Sequence, residues 1–108
     1  MSNAAYEKGR RAENEAQRML ERDGYEVARS AGSHGPADLI AWNEREIRFI
    51  QIKAIGHEQS AGVAIAAGRR RWNDAIRPTI ESVSIETWVR YPRARWCHEV
   101  HVIQKGER

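Results

Sequence analysis

The chain carries a single cysteine, Cys97, among its 108 residues. It cannot close an intrachain disulfide, which fits a reducing compartment. Three prolines and eight glycines are too few for a linker-rich or disordered chain. No apolar run approaches the roughly 20 residues that cross a bilayer, so no membrane partner is expected. The first thirty residues are polar and charged and lack the pattern of a secretory leader, so a cytoplasmic protein is the expectation. Internal repeats and low-complexity tracts are also missing. The length excludes two cores, and residues 1–108 are read as one domain.

What is present is charge of a particular kind. Charged residues make up 31% of the chain against 41% hydrophobic, and the net charge is +3. Residues 66–108 hold nine basic and five acidic groups, so the whole excess sits there. Fifteen of the eighteen basic residues are arginine. Arginine presents a planar fork that grips phosphate at two points, which makes nucleic acid a candidate partner. Arginine enrichment from a GC-rich genome is the alternative source of the same composition.

The hydrophobic pattern predicts seven elements. Gly9, Ala12, Ala16, Met19 and Leu20 share one stripe at helical spacing over residues 5–23, and Gly24 is a natural stop. Strands are expected at 25–30, 37–42, 47–54, 82–91 and 95–103, the third being the strongest. A second helix is expected over 60–77, ended by Pro78. The order αβββαββ, with short turns among the first three strands, implies an antiparallel meander covered by helices in an α+β layout.

Several residues do not fit a purely structural role. Glu13 stands at the edge of the first helix's apolar stripe, either as a boundary residue reaching solvent or as a partly shielded acid. Asp38 starts a strand, where aspartate is disfavoured, after a Gly-Pro loop; a turn cap is the bland alternative. Gln51 and Lys53 share one face of the third strand with Ile47 and Phe49. Either that face is simply wet, or the strand runs from a core into a cleft. Together these groups suit a hard divalent cation such as Mg²⁺, with Mn²⁺ as a substitute: Glu13, Asp38 and Gln51 offer oxygen ligands. Lys53 beside them suits phosphodiester hydrolysis, orienting water or stabilising developing charge.

Four blocks carry a resemblance. They are Lys8-Gly9-Arg10-Arg11-Ala12-Glu13, Arg29-Ser30-Ala31-Gly32-Ser33, Asp38-Leu39-Ile40-Ala41 and Ile50-Gln51-Ile52-Lys53. In order and spacing they resemble the archaeal-type Holliday junction resolvases of the PD-(D/E)xK nuclease superfamily, over roughly residues 6–55. The resemblance implies a restriction-endonuclease-like core, α/β/α-like, with a central mixed sheet flanked by helices. It implies a Mg²⁺-dependent endodeoxyribonuclease acting on branched DNA. By residue, it implies Glu13 and Asp38 as acids of the active site, Lys53 as the catalytic lysine, Arg29 as a DNA contact and Ser33 as a loop serine near the scissile phosphate. It places Lys8-Gly9 at the helix start, where backbone N–H groups approach phosphate. A resolvase cuts two strands symmetrically, so a homodimer follows from the function.

Two departures stand out. Gln51 occupies the place of the family's usual glutamate, keeping one ligand oxygen and losing a charge. Asn14 follows the helix glutamate where a basic residue is common, which shifts a DNA contact toward Arg10 or Arg11. Arg69, Arg70, Arg71 and Arg77 form either a phosphate-tracking face beside the cleft or a solvated helix face. Trp72, Trp88 and Trp96 are candidates for a pairing surface. Cys97, His98 and His101 place at most two ligands on one strand face, so zinc is not expected. Two other functions stay open: another small nuclease of the superfamily, of restriction, repair or phage type, and a non-catalytic nucleic-acid binder whose site has decayed at Gln51.

Overall fold

The structure is a computed structural model that describes residues 4–30, 36–56, 59–74, 82–93 and 95–101. Its elements are α1 (Ala4–Arg22), β1 (Glu26–Arg29), β2 (Leu39–Trp42), β3 (Ile47–Ala54), α2 (Ala61–Asn73), β4 (Val83–Tyr91) and β5 (Arg95–His101). The order is the expected αβββαββ. Ser33, His34, Ile76, Arg77 and Pro78 lie outside the described residues.

The five strands form one sheet in the order β1-β2-β3-β4-β5. β1, β2 and β3 make the antiparallel meander. β3 and β4 are parallel, with Gln51 beside Thr87 and Lys53 beside Val89. A parallel pair needs a crossover, and α2 lies in that connection. β4 and β5 return as an antiparallel pair. The sheet is therefore mixed.

Each helix takes one face. Ala12, Ala16 and Leu20 recur every four residues on α1 and are wholly buried. Ala16 and Leu20 join Leu39, Ala41, Ile50 and Trp88 in one core cluster. Gly24, at φ 95°, closes the helix in a conformation glycine adopts without strain. On the other face, Ala64 and Ile65 of α2 pack with Ile55 and Val89. Trp88 and Val89 are strand neighbours that point to opposite sides, which makes the arrangement α/β/α.

α2 begins where Ser60 accepts a hydrogen bond from the Val63 N–H at 3.3 Å. It runs to Asn73 with Asp74 at the C-cap, whose N–H donates to the carbonyl of Arg70, and residues 75–77 of the expected 60–77 lie outside the described residues. Two of the three tryptophans considered for a pairing surface are corrected. Trp72 and Trp88 are 3% and 7% exposed and belong to the interior. Their indole N–H groups are spent on the Glu86 carbonyl and carboxylate, at 3.2 and 2.9 Å. Trp96 is half-buried and donates to Glu15 at 2.7 Å.

Glu86 is buried yet charged. Arg48 of β3 grips both its oxygens at 2.8 Å, and Ser84 and Trp88 also donate to it. The Arg48 guanidinium lies over the rings of Tyr25 and Trp88 at 5.0 and 5.6 Å. Burial alone would raise the Glu86 carboxyl, but these donors hold it below its ordinary range.

Candidate active site

The site forms where β2 begins beside the middle of β3. The Asp38 N–H donates to the Ile50 carbonyl at 2.9 Å. Its carboxylate accepts from the Ile52 N–H at 2.8 Å, taking the place of a strand partner. The two bonds straddle Gln51 and hold Asp38 alongside it. Burial pushes the Asp38 carboxyl above its ordinary range; the Ile52 N–H opposes this, Glu13 raises it further and Lys53 lowers it. Glu13 and Lys53 thus both lie close enough to act on this carboxylate, in opposite senses. The structure brings Glu13, Asp38, Gln51 and Lys53 together from α1, β3 and the start of β2.

Glu13 is 30% exposed and receives Arg29 Nη2 at 2.8 Å. Arg29 Nη1 also donates to the side-chain oxygen Oδ1 of Asn14. Asn14, the departure after the helix glutamate, therefore helps fix the arginine.

Gln51 differs from its expected setting. Ile47 and Phe49 were expected in the core, with Gln51 in the cleft. Instead Ile47 is 40% exposed and Gln51 only 9%. The reason lies in α2, which crosses the strands at Gly68. A Cβ there would stand 2.4 Å from Thr87 Oγ1 and 2.9 Å from Gln51 Oε1. The missing side chain lets helix backbone press directly onto Gln51. Thr87 Oγ1 lies 3.4 Å from Gln51 Oε1 and 2.8 Å from His101 Nε2.

Lys53, two residues further along β3, lines a cavity of about 600 Å³ with Ile55, Gln59, Ser60, Val63 and Ala64. The Lys8 ammonium also reaches this end of β3, 3.6 Å from where a Cβ on Gly56 would stand. Arg10 and Arg11 are exposed on α1. The arginine run Arg69, Arg70 and Arg71 is exposed on α2. Arg69 donates to Glu99 of β5 at 2.9 Å, and Glu99 is two strands removed from β3. Arg70 and Arg71 are exposed on the following positions of α2.

Thr87, His101 and Glu99 are polar partners of the site that the sequence reading passed over. The only local signal is the alternation that puts Glu99 and His101 on one face of β5. Their link to Gln51 crosses from β5 through β4 to β3, which no spacing in the chain displays.

Glu13 and Asp38 supply carboxylate oxygens, and Gln51 can supply a neutral one. Among the described residues, no cluster of three His, Cys, Asp or Glu side chains is present. An oxygen-only donor set with few protein ligands fits Mg²⁺ or Mn²⁺ and does not suit a soft metal.

Known proteins resemble this chain in sequence and in fold. The sequence model of the archaeal Holliday junction resolvase (Hjc) family matches residues 4–64, more than half of the chain. The crossover junction endodeoxyribonuclease Hjc of Methanocaldococcus jannaschii is 46% identical over 48 residues, which cover 44% of this chain and 35% of that protein. The match thus spans about a third of that relative's length. The solved structure of Archaeoglobus fulgidus Hjc, a Holliday junction resolvase, is similar with a TM-score of 0.55 and 25% identity, over 84% of this chain and 70% of that one. The family match contains Glu13, Asp38, Gln51 and Lys53, and the structural likeness extends beyond its last residue. On these grounds the chain belongs to the archaeal Holliday junction resolvase family.

Proposed function

We propose that this chain is a Mg²⁺-dependent DNA endonuclease that resolves four-way junctions and works as a homodimer. The observation that carries the reading is the Asp38 carboxylate, bound to the strand beside Gln51 and under the influence of both Glu13 and Lys53. Family membership supports the substrate class.

Glu13, Asp38 and Gln51 would hold the cation. Such an ion supplies Lewis-acid polarisation of the phosphodiester. Lys53 would orient the attacking water and offset the negative charge that grows on the phosphoryl oxygens. Arg29, fixed by Glu13 and Asn14, and Lys8, at the end of β3, would hold the DNA backbone with Arg10 and Arg11. Family membership would add Ser33 as a contact near the scissile phosphate. Arg69, Arg70 and Arg71 would contact phosphates further from the cut. Water is the nucleophile and no covalent enzyme intermediate is required. Symmetric incision of two strands requires two such sites, which a two-fold dimer provides.

Gln51 favours one competing reading, a binding protein that no longer cuts. Labelled four-way junction, linear duplex and flap DNA, each with Mg²⁺ and with EDTA, separate the readings. Paired symmetric nicks confined to the junction and dependent on Mg²⁺ are expected. Lys53→Ala should slow cutting by about 10²-fold or more while junction binding persists. Cutting of duplex or flap instead would point to another nuclease of the superfamily. Binding without cutting, in Mg²⁺ or Mn²⁺, would establish the decayed site.

A further inference from the structure

The hairpin of β4 and β5 carries three arginines, Arg90, Arg93 and Arg95, that the site described above does not use. Arg90 is half-buried and donates to Glu15 at 3.0 Å, which neutralises it. Arg93 and Arg95 are exposed. Ion pairs occupy Arg29, Arg48, Arg69 and Arg90. Neither Arg93 nor Arg95 has a carboxylate partner among the described residues.

Arg95 is nevertheless held in place. Its Nε donates to the Pro92 carbonyl at 3.0 Å, and its guanidinium carbon lies 4.6 Å from the centre of the Tyr91 ring. These contacts use one N–H and one face of the group. They leave the terminal fork to grip a phosphate at two points. Because the guanidinium is already oriented, little freedom is lost when it does so. Arg93 stands at φ 70°. Glycine takes that left-handed conformation without strain, whereas a larger side chain does not. A hairpin that needed only its turn would be served better by glycine. Arginine there costs the fold something that contact with a ligand offsets.

The hairpin stands beside the cut. Lys53 pairs with Val89, Ala54 with Arg90, and Tyr91 with Arg95. Arg95 is therefore two strand spacings, about 10 Å, across the sheet from the end of β3. Tyr91, Pro92 and Arg95 line a cavity of about 250 Å³ with Ile55, Gly56 and Gln59. Ile55 and Gln59 also line the cavity that holds Lys53, so the two share a wall.

We propose that Arg93 and Arg95 form a further phosphate site, which holds the DNA backbone about three nucleotides from the cut, given a rise of about 3.4 Å per nucleotide. The proposal rests on the reading of the chain as a junction-binding enzyme that cuts at Lys53. The contact adds affinity and register and carries no sequence preference.

The test measures binding of the full chain to a labelled four-way junction in EDTA over a range of salt. Each lost phosphate contact should lower the slope of log affinity against log salt by about 0.9 per bound protomer. Arg95→Ala and Arg93→Gly should each show that fall. Arg95→Lys keeps a charge and should keep the slope, although it loses the fork. Arg93→Gly also relieves the left-handed φ, so its melting temperature should rise while its slope falls. Support of the turn alone would not give that combination. Slopes equal to the parent's in both variants would overturn the proposal and leave Arg95 a staple of the hairpin. Junctions with a neutral methylphosphonate at single positions locate the contact. The parent should lose affinity at a position about three nucleotides from the cut, and Arg95→Ala should be insensitive there. Equal sensitivity of both proteins at every position would assign the contact to another group and overturn the proposal. A parent that binds no junction would overturn the enzyme reading and this site with it.

Discussion

Asp38 shows how one residue is held at a cost. Burial and the neighbouring Glu13 raise its pKa in the folded chain, more than the Ile52 N–H and Lys53 lower it. A carboxyl whose folded pKa exceeds its unfolded one favours folding below the unfolded value. That contribution is lost as pH rises through the folded pKa. At neutral pH the ionised group therefore works against the fold. Asp38→Asn keeps an oxygen for the Ile52 N–H and removes the charge. Thermal unfolding should find this variant more stable than the parent at neutral pH, with the advantage vanishing in acid, while junction cleavage is abolished. A lower melting temperature at neutral pH would mean that Asp38 stabilises the fold in its charged form. Asp38 and Lys53 were legible in the sequence because each is a chemical oddity in its own strand. The depth of Gln51 was not, since burial depends on which element lies across it.

Among the elements, α2 decides most about the site. It joins the parallel pair β3 and β4, and Gly68 is where it touches both. Gly68→Ala would drive a methyl group to within 2.5 Å of Thr87 Cγ2 as well as against Gln51. Overpacking of this kind costs about 1–3 kcal/mol. Urea unfolding should register that loss, and cleavage should fall further than the loss of folded protein explains, because Gln51 is displaced. Cleavage that tracks only the folded fraction would show that the position of Gln51 is not critical. The seven elements and their order were readable from periodicity and turn residues.

At the scale of the whole molecule, the Arg48–Glu86 pair ties the two halves of the sheet together. It joins strands on either side of the parallel junction and has Tyr25, Ser84 and Trp88 around it. Breaking a buried pair by removing one charge costs about 3–5 kcal/mol, because the other charge is stranded. Glu86→Gln should lose about that much at neutral pH in urea unfolding. The Glu86 pKa is lowered in the folded chain, so its contribution is present above the unfolded value and lost as pH falls through the folded one. The gap between parent and variant should therefore shrink in acid. A gap independent of pH would remove the pair from the account of acid stability.

The sequence by itself determined the family and the element order, and it singled out Glu13, Asp38 and Lys53 as candidates for the site. These depend on residue type and on spacing within short blocks, which local chemistry makes visible. Only the tertiary structure decided that Trp72 and Trp88 are interior, that Arg69 serves Glu99, and that Gln51 is buried against Thr87. Each of these depends on a contact between residues far apart in the chain, such as Arg48 with Glu86 or Thr87 with Gln51. Such partners meet only when the sheet closes and α2 lies across it.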